Sequence, residues 1–96
     1  MRNVEIGSEV EIIGKSAFED CYSLSKVTIP SSVKELGINC FTNCTNLNSA
    51  ILENENIPSG CFCNCTSLES IQFGDNVSVL EAGCFQNCHV HPLPTI

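Results

Sequence analysis

The residues of this 96-residue chain with chemistry to offer are its eight cysteines and two histidines. The densest group is Cys84-x-x-x-Cys88-His89-x-His91, four thiol or imidazole side chains within eight residues. Such donors suit zinc, but zinc sites pair one knuckle of this kind with a second, and none follows. Disulfide chemistry is the next possibility, because eight cysteines in a short chain form a framework in an oxidising compartment. Nucleophilic catalysis lacks its base, since neither histidine stands beside a serine and an acidic relay. Asn43-Cys44-Thr45, Asn64-Cys65-Thr66 and Asn76-Val77-Ser78 match the glycosylation sequon and matter only in a secretory compartment. Glu9/Glu11 and Glu53/Glu55 are read as solvated loops, because calcium needs more convergent oxygens than either pair supplies. No catalytic residue, cofactor or metal site is therefore expected, and the chain is read as non-enzymatic.

What positions the cysteines is a repeat. Phe18, Phe41, Phe62 and Phe85 stand 23, 21 and 23 residues apart, and three positions after each comes Cys21, Cys44, Cys65 or Cys88. Leu24, Leu47 and Leu68 follow at six positions, Val27, Ala50 and Ile71 at nine, and Ile29, Leu52 and Phe73 at eleven. Five residues before each Phe stand Ile13, Leu36, Ile57 and Leu80; eight before stand Val10, Val33 and Val77. A self-similar period of this length means stacked units rather than one globular core.

Within the unit, Leu24 to Val33 reads L-x-x-V-x-I-x-x-x-V. Its period-two part puts Val27 and Ile29 on one face of a strand and Lys26 and Thr28 on the other. A strand of four or five residues cannot bury its apolar face alone, so neighbouring units must stack with parallel strands ~4.8 Å apart. The fold class predicted is a mainly β leucine-rich-repeat solenoid. Residues 1–96 are read as one solenoid domain of about four coils centred on the four phenylalanines and beginning mid-repeat, with Val4 and Ile6 in strand register. A short helical turn is expected at Ala17 to Cys21, because residues three apart share a helical face.

The motif I-G-x-x-A-F-x-x-C-x-x-L-x-x-V-x-I-P-x-x-V, present as Ile13-Gly14, Ala17-Phe18, Cys21, Leu24, Val27, Ile29-Pro30 and Val33, resembles the BspA-type leucine-rich repeats of bacterial and protist surface proteins. The resemblance covers nearly the whole chain. It implies an open right-handed solenoid used in attachment to proteins or cells, and it brings no catalytic residues.

The repeat also bears on the thiols. Equivalent cysteines one ladder spacing apart, ~4.8 Å, exceed the ~3.5–4.5 Å between the Cβ atoms of a disulfide. The ladder cysteines Cys21, Cys44 and Cys65 are expected to be buried free thiols acting as small hydrophobes, with Cys88 less protected and Cys63, out of register, the most exposed. Replacing Cys44 by serine is expected to bury a hydroxyl with no assured partner, at ~1–3 kcal/mol. The third unit is irregular: only Glu53-Asn54-Glu55-Asn56 separates Leu52 from Ile57, where six residues separate Ile29 from Leu36. It is expected to lose the inward valine and to form a weak point.

Apolar residues make up 43% and charged residues 16%, which excludes a disordered chain, and no apolar run is long enough for a membrane helix. Eleven acidic against four basic residues leave a net charge of −7, which repels phosphate backbones, so nucleic acid is not an expected partner. No signal peptide is read in residues 1–20, and the cell surface is suggested only by the family resemblance, for a chain forming part of a longer protein. By register the outward positions of the parallel sheet are Asn3, Lys26, Ser49, Ser70 and Leu93 in one row and Glu5, Thr28, Ile51, Gln72 and Thr95 in the next. The candidate binding face is Lys26, Thr28, Ser49, Ile51, Ser70 and Gln72, a concave surface for a protein or glycan partner. The alternatives are a structural spacer or piece of a longer array, and a thiol or zinc protein. Self-association is expected through the N-terminal strand edge, because Pro92 and Pro94 blunt the other.

Overall fold

A computed structural model describes residues 3–89. Its strands are β1 (Asn3–Glu5), β2 (Ile12–Ile13), β3 (Lys26–Ile29), β4 (Glu35–Leu36), β5 (Ser49–Leu52), β6 (Asn56–Ile57), β7 (Ser70–Phe73) and β8 (Val79–Leu80). β1, β3, β5 and β7 form a four-stranded parallel sheet in that order, and the chain completes one turn of a coil between each strand and the next. The register is that of the repeat: Val4 opposite Val27, Val27 opposite Ala50, Ala50 opposite Ile71. On the back, β2 pairs with β4 and β6 with β8, as two separate parallel pairs. No helix forms among the described residues, and none is long and apolar enough to cross a membrane.

The core is a set of columns, one residue per coil. Phe18, Phe41, Phe62 and Phe85 stack with centroids 5.2, 5.3 and 5.5 Å apart and rings within 8° of parallel. Phe41 and Phe62 are fully buried, with Leu24, Leu47, Leu68, Ile29, Leu52 and Ile57. Burying a side chain of this kind is worth about 1.5–3 kcal/mol, so most of the stability is interfacial between coils.

The expected helical turn at Ala17 to Cys21 does not form, for a reason visible in its hydrogen bonds. The N–H groups of Ser16, Phe18 and Asp20 donate across to the carbonyls of Ile38, Cys40 and Thr42 in the next coil, at 2.9–3.1 Å. Alternate N–H groups spent sideways cannot also bond four residues back along a helix. The segment is instead a third ladder of stacked turns, continued by Asn39, Phe41 and Asn43 onto Ser59, Cys61 and Cys63. Every coil enters and leaves it through positive φ, at Ser16 and Asp20, Asn39 and Asn43, Gly60 and Asn64, Gly83 and Asn87. Asn, Asp and Gly tolerate this left-handed conformation best, which accounts for seven of the eight positions.

The third coil differs from expectation in a second way. Eight residues before Phe62, where its sister coils carry valine, stands Asn54, and it is buried. The inward position is filled by an amide rather than lost. Its Nδ2 donates to the Asn56 carbonyl at 2.8 Å, while its buried Oδ1 has no partner.

Candidate functional site

The outward face of the four-stranded sheet brings the sequence-derived candidates together. Asn3, Lys26, Ser49 and Ser70 are consecutive partners across the sheet, and Glu5, Thr28, Ile51 and Gln72 form the adjacent row. Lys26, Thr28, Ser70 and Gln72 are exposed, while Ser49 and Ile51 on central β5 are half-buried between their neighbours. Leu93 and Thr95, the expected ends of these rows, lie outside the described residues. The face is mostly small and polar. A shallow depression of about 250 Å³ runs between β1 and β3, lined by Asn3, Val4, Glu5, Lys26, Val27 and Thr28.

The thiols form two columns behind it. Cys44, Cys65 and Cys88 each donate Sγ–H to the carbonyl of the phenylalanine one coil earlier, Phe18, Phe41 and Phe62, at 3.2, 3.2 and 3.0 Å. Cysteine is thus a hydrogen-bond donor here as well as a hydrophobe, and a serine hydroxyl at Cys44 would find the Phe18 carbonyl. Cys44 and Cys65 are fully buried; Cys21, expected to be buried, is half-exposed because the coil after it covers only one of its sides. Cys40, Cys61 and Cys84 make a second buried column, and all eight cysteines are free thiols. Burial pushes Cys40 and Cys88 up to about 11 and Cys61 well above its ordinary value; Cys65 is raised by its neighbour Cys44 and by burial. Raised pKa values make these poor nucleophiles and poor metal ligands at neutral pH. Among the described residues no group of three or more His, Cys, Asp or Glu side chains converges as a metal would need, and His91 lies outside them.

Sequence reasoning missed a surface ladder. Asn43 Nδ2 donates to Asp20 Oδ1, Asn64 Nδ2 to Asn43 Oδ1 and Asn87 Nδ2 to Asn64 Oδ1, at 2.9, 2.9 and 2.7 Å. The signal was available as Asp or Asn two positions after every core phenylalanine. Two of the sequon asparagines are therefore committed to this ladder, whereas Asn76 is exposed.

A coiled stack of short parallel strands with one-residue columns and side-chain ladders defines a repeat solenoid. The chain belongs to the BspA type leucine-rich repeat family, whose profile matches residues 1–93 in six copies. No curated protein and no solved structure gives a significant match. The family is one of repeats that are generally not enzymes.

Proposed function

We propose that the chain is a non-enzymatic interaction module whose outward sheet face docks a protein or glycan partner, in the manner of surface adhesion repeats. The observation that carries this reading is the arrangement of Lys26, Thr28, Ser49, Ile51, Ser70 and Gln72 in two registered rows, with the branched apolar Ile51 flanked by Thr28 and Gln72. A central apolar anchor ringed by small polar groups is the usual energetic centre of an interface. The test is to immobilise the parent, an Ile51→Glu variant and a Glu11→Lys variant, and present each with a glycan panel and a panel of surface proteins. Any true partner should lose at least about tenfold in affinity, about 1.4 kcal/mol, with Ile51→Glu and little with Glu11→Lys. A partner indifferent to changes at Thr28, Ile51 and Gln72 places docking elsewhere.

A second reading, a segment of a longer array or a self-associating unit, is favoured by the N-terminal end of the coil. There Val4, Ile6, Val10 and Phe18 are only half-buried around an open, largely apolar hollow of about 360 Å³.

A further inference from the structure

The short third coil leaves a built cleft on the edge of the solenoid, away from the sheet face. In the first, second and fourth coils a hydrogen-bonded turn leads from the front strand to the back: Val10 N–H to Gly7, Val33 to Pro30 and Val77 to Gly74, at 3.1–3.3 Å. The 21-residue step makes the third coil two residues shorter, and Glu53 to Asn56 makes no such turn. The turns of the second and fourth coils therefore face each other across the missing one. Two coil rises separate them, about 10 Å, which leaves room for a single chain at strand spacing from each. A cleft of about 420 Å³ lies here, lined by Ser31, Val33, Lys34, Glu55 and Asn76.

Backbone pairing fails at the same place. The second coil is tied to the first by the N–H groups of Lys34, Glu35 and Gly37, donating to Glu11, Glu11 and Ile13. The fourth is tied to the third by Ser78, Val79 and Glu81, donating to Glu55, Glu55 and Ile57. The equivalent donors of the third coil are Glu55, Asn56 and Pro58; proline has no N–H, and among the described residues neither of the others makes the bond to the second coil. Back strands β4 and β6 accordingly do not pair with each other. Lys34 and Glu55, both lining the cleft, also form no ion pair. Close by, Asn54 keeps a buried Oδ1 without a donor. Departures from the repeat rules that coincide in this way fall at functional or strained places in otherwise consistent folds.

We propose that this cleft binds a short polar turn segment of a partner polypeptide, which supplies in trans the two residues the third coil lacks. The repeat itself states the chemistry of the occupant. Glu53 takes the place of Pro30 and Gly74 in the front ladder and Asn54 that of the inward valine, so the sister coils place Ser8-Glu9, Ser31-Ser32 and Asp75-Asn76 there, polar pairs rich in turn-forming residues. A peptide group offers one donor and one acceptor, the combination that the Lys34 carbonyl and the Glu55 N–H, which make no backbone bond among the described residues, can use. The cleft wall adds a hydroxyl, an amide and one charge of each sign, so neither a net anion nor an apolar ligand is matched. Supplying a missing backbone element from another chain is an established recognition mode.

The inference is independent of the sheet-face reading and is tested separately from it. The probe is the blocked pentapeptide acetyl-Ile-Pro-Ser-Ser-Val-amide, titrated into ¹⁵N-labelled parent and into a variant with Pro-Ser inserted between Leu52 and Glu53. The expected result is saturable shifts of the Lys34, Glu55 and Asn76 amides in the parent, with Lys26, Ile51 and Gln72 unmoved. The insertion variant should keep a dispersed spectrum and lose these shifts. Absence of saturable shifts in the parent, or equal shifts in the insertion variant, would overturn the proposal. So would movement of the same peaks with methyl glucoside or N-acetylglucosamine but not with the peptide, which would make the cleft a saccharide site.

Discussion

The thiol of Cys65 donates to the carbonyl oxygen of Phe41, 3.2 Å away in the preceding coil. The bond ties two core columns together and gives cysteine a task that alanine cannot perform. Cys65→Ala should cost about 1–2 kcal/mol, from a weak buried hydrogen bond and a sulfur-sized void. Cys65→Ser keeps a donor for the same carbonyl and should cost no more than alanine. Urea denaturation of the three proteins measures this, and a serine variant several kcal/mol worse than alanine would show that the hydroxyl finds no acceptor.

The same burial has a pH signature. A thiol whose pKa is raised by folding stabilises the fold while both states keep the proton, and that contribution disappears as pH climbs through the folded pKa. With Cys40 and Cys88 moved from 9.0 to about 11, stability should be level below pH 9 and fall between 9 and 11. Melting temperatures from circular dichroism across that range should fall less steeply for a Cys40→Ala variant. An unchanged slope would show that Cys40 does not carry the loss.

Asn64 combines a left-handed backbone with two ladder bonds, one given to Asn43 and one taken from Asn87. Asn64→Ala gives up both bonds and meets a backbone penalty of about 1–2 kcal/mol. Asn64→Gly gives up the bonds but not the conformation. Glycine should therefore be the milder substitution in chemical denaturation, by about 1 kcal/mol, the reverse of the order expected in a helix or strand. Equal costs would mean that the conformation contributes nothing.

In the third coil, the amides of Glu55 and Asn56 should exchange with solvent faster than those of Lys34 and Glu35 or Ser78 and Val79, whose bonds to the preceding coil are intact. Asn54→Val restores the repeat residue and removes the orphaned Oδ1, at the loss of one bond to Asn56. A net gain of about 1 kcal/mol is expected from burying the valine. Uniform exchange across the three coils would show that the contraction is absorbed without loosening, and a destabilised valine variant would show that the amide is needed.

The architecture was legible because a column repeats one residue type at one interval: Phe18, Phe41, Phe62 and Phe85 set the register, and the paired strands follow it residue for residue. The same reasoning placed Lys26, Thr28, Ser49, Ile51, Ser70 and Gln72 on one face, because side chains alternate along a strand. What was not legible depended on backbone direction. A Phe and a Cys three apart suit a helical turn and a β-turn equally, and only the sideways N–H groups of Phe18 and Asp20 decide between them. Asn54 was hidden because alignment from Leu52 forward loses the two missing residues, whereas counting back from Phe62 puts it at the valine position. The cleft at Ser31 and Asn76 is a property of three coils together and has no signature in any one of them.

The N-terminal edge is the place where self-association should begin. Among the described residues β1 pairs only with β3, which leaves the backbone groups of its other edge without a strand partner there, and the end face beside it exposes part of Val4, Ile6, Val10 and Phe18. These residues match Val27, Ile29, Val33 and Phe41, which in the next coil are covered on both sides, so the surface is shaped to receive another coil of the same kind. Unpaired edges recruit other strands, and a proline in the strand removes a donor and resists pairing. Val4→Pro should therefore shift the protein toward monomer, while proline at Thr95, beyond the described residues, should change little. Analytical ultracentrifugation over a concentration series compares the two, with circular dichroism confirming that each variant stays folded. A parent that is monomeric throughout, or equal effects from the two ends, would refute an interface at β1.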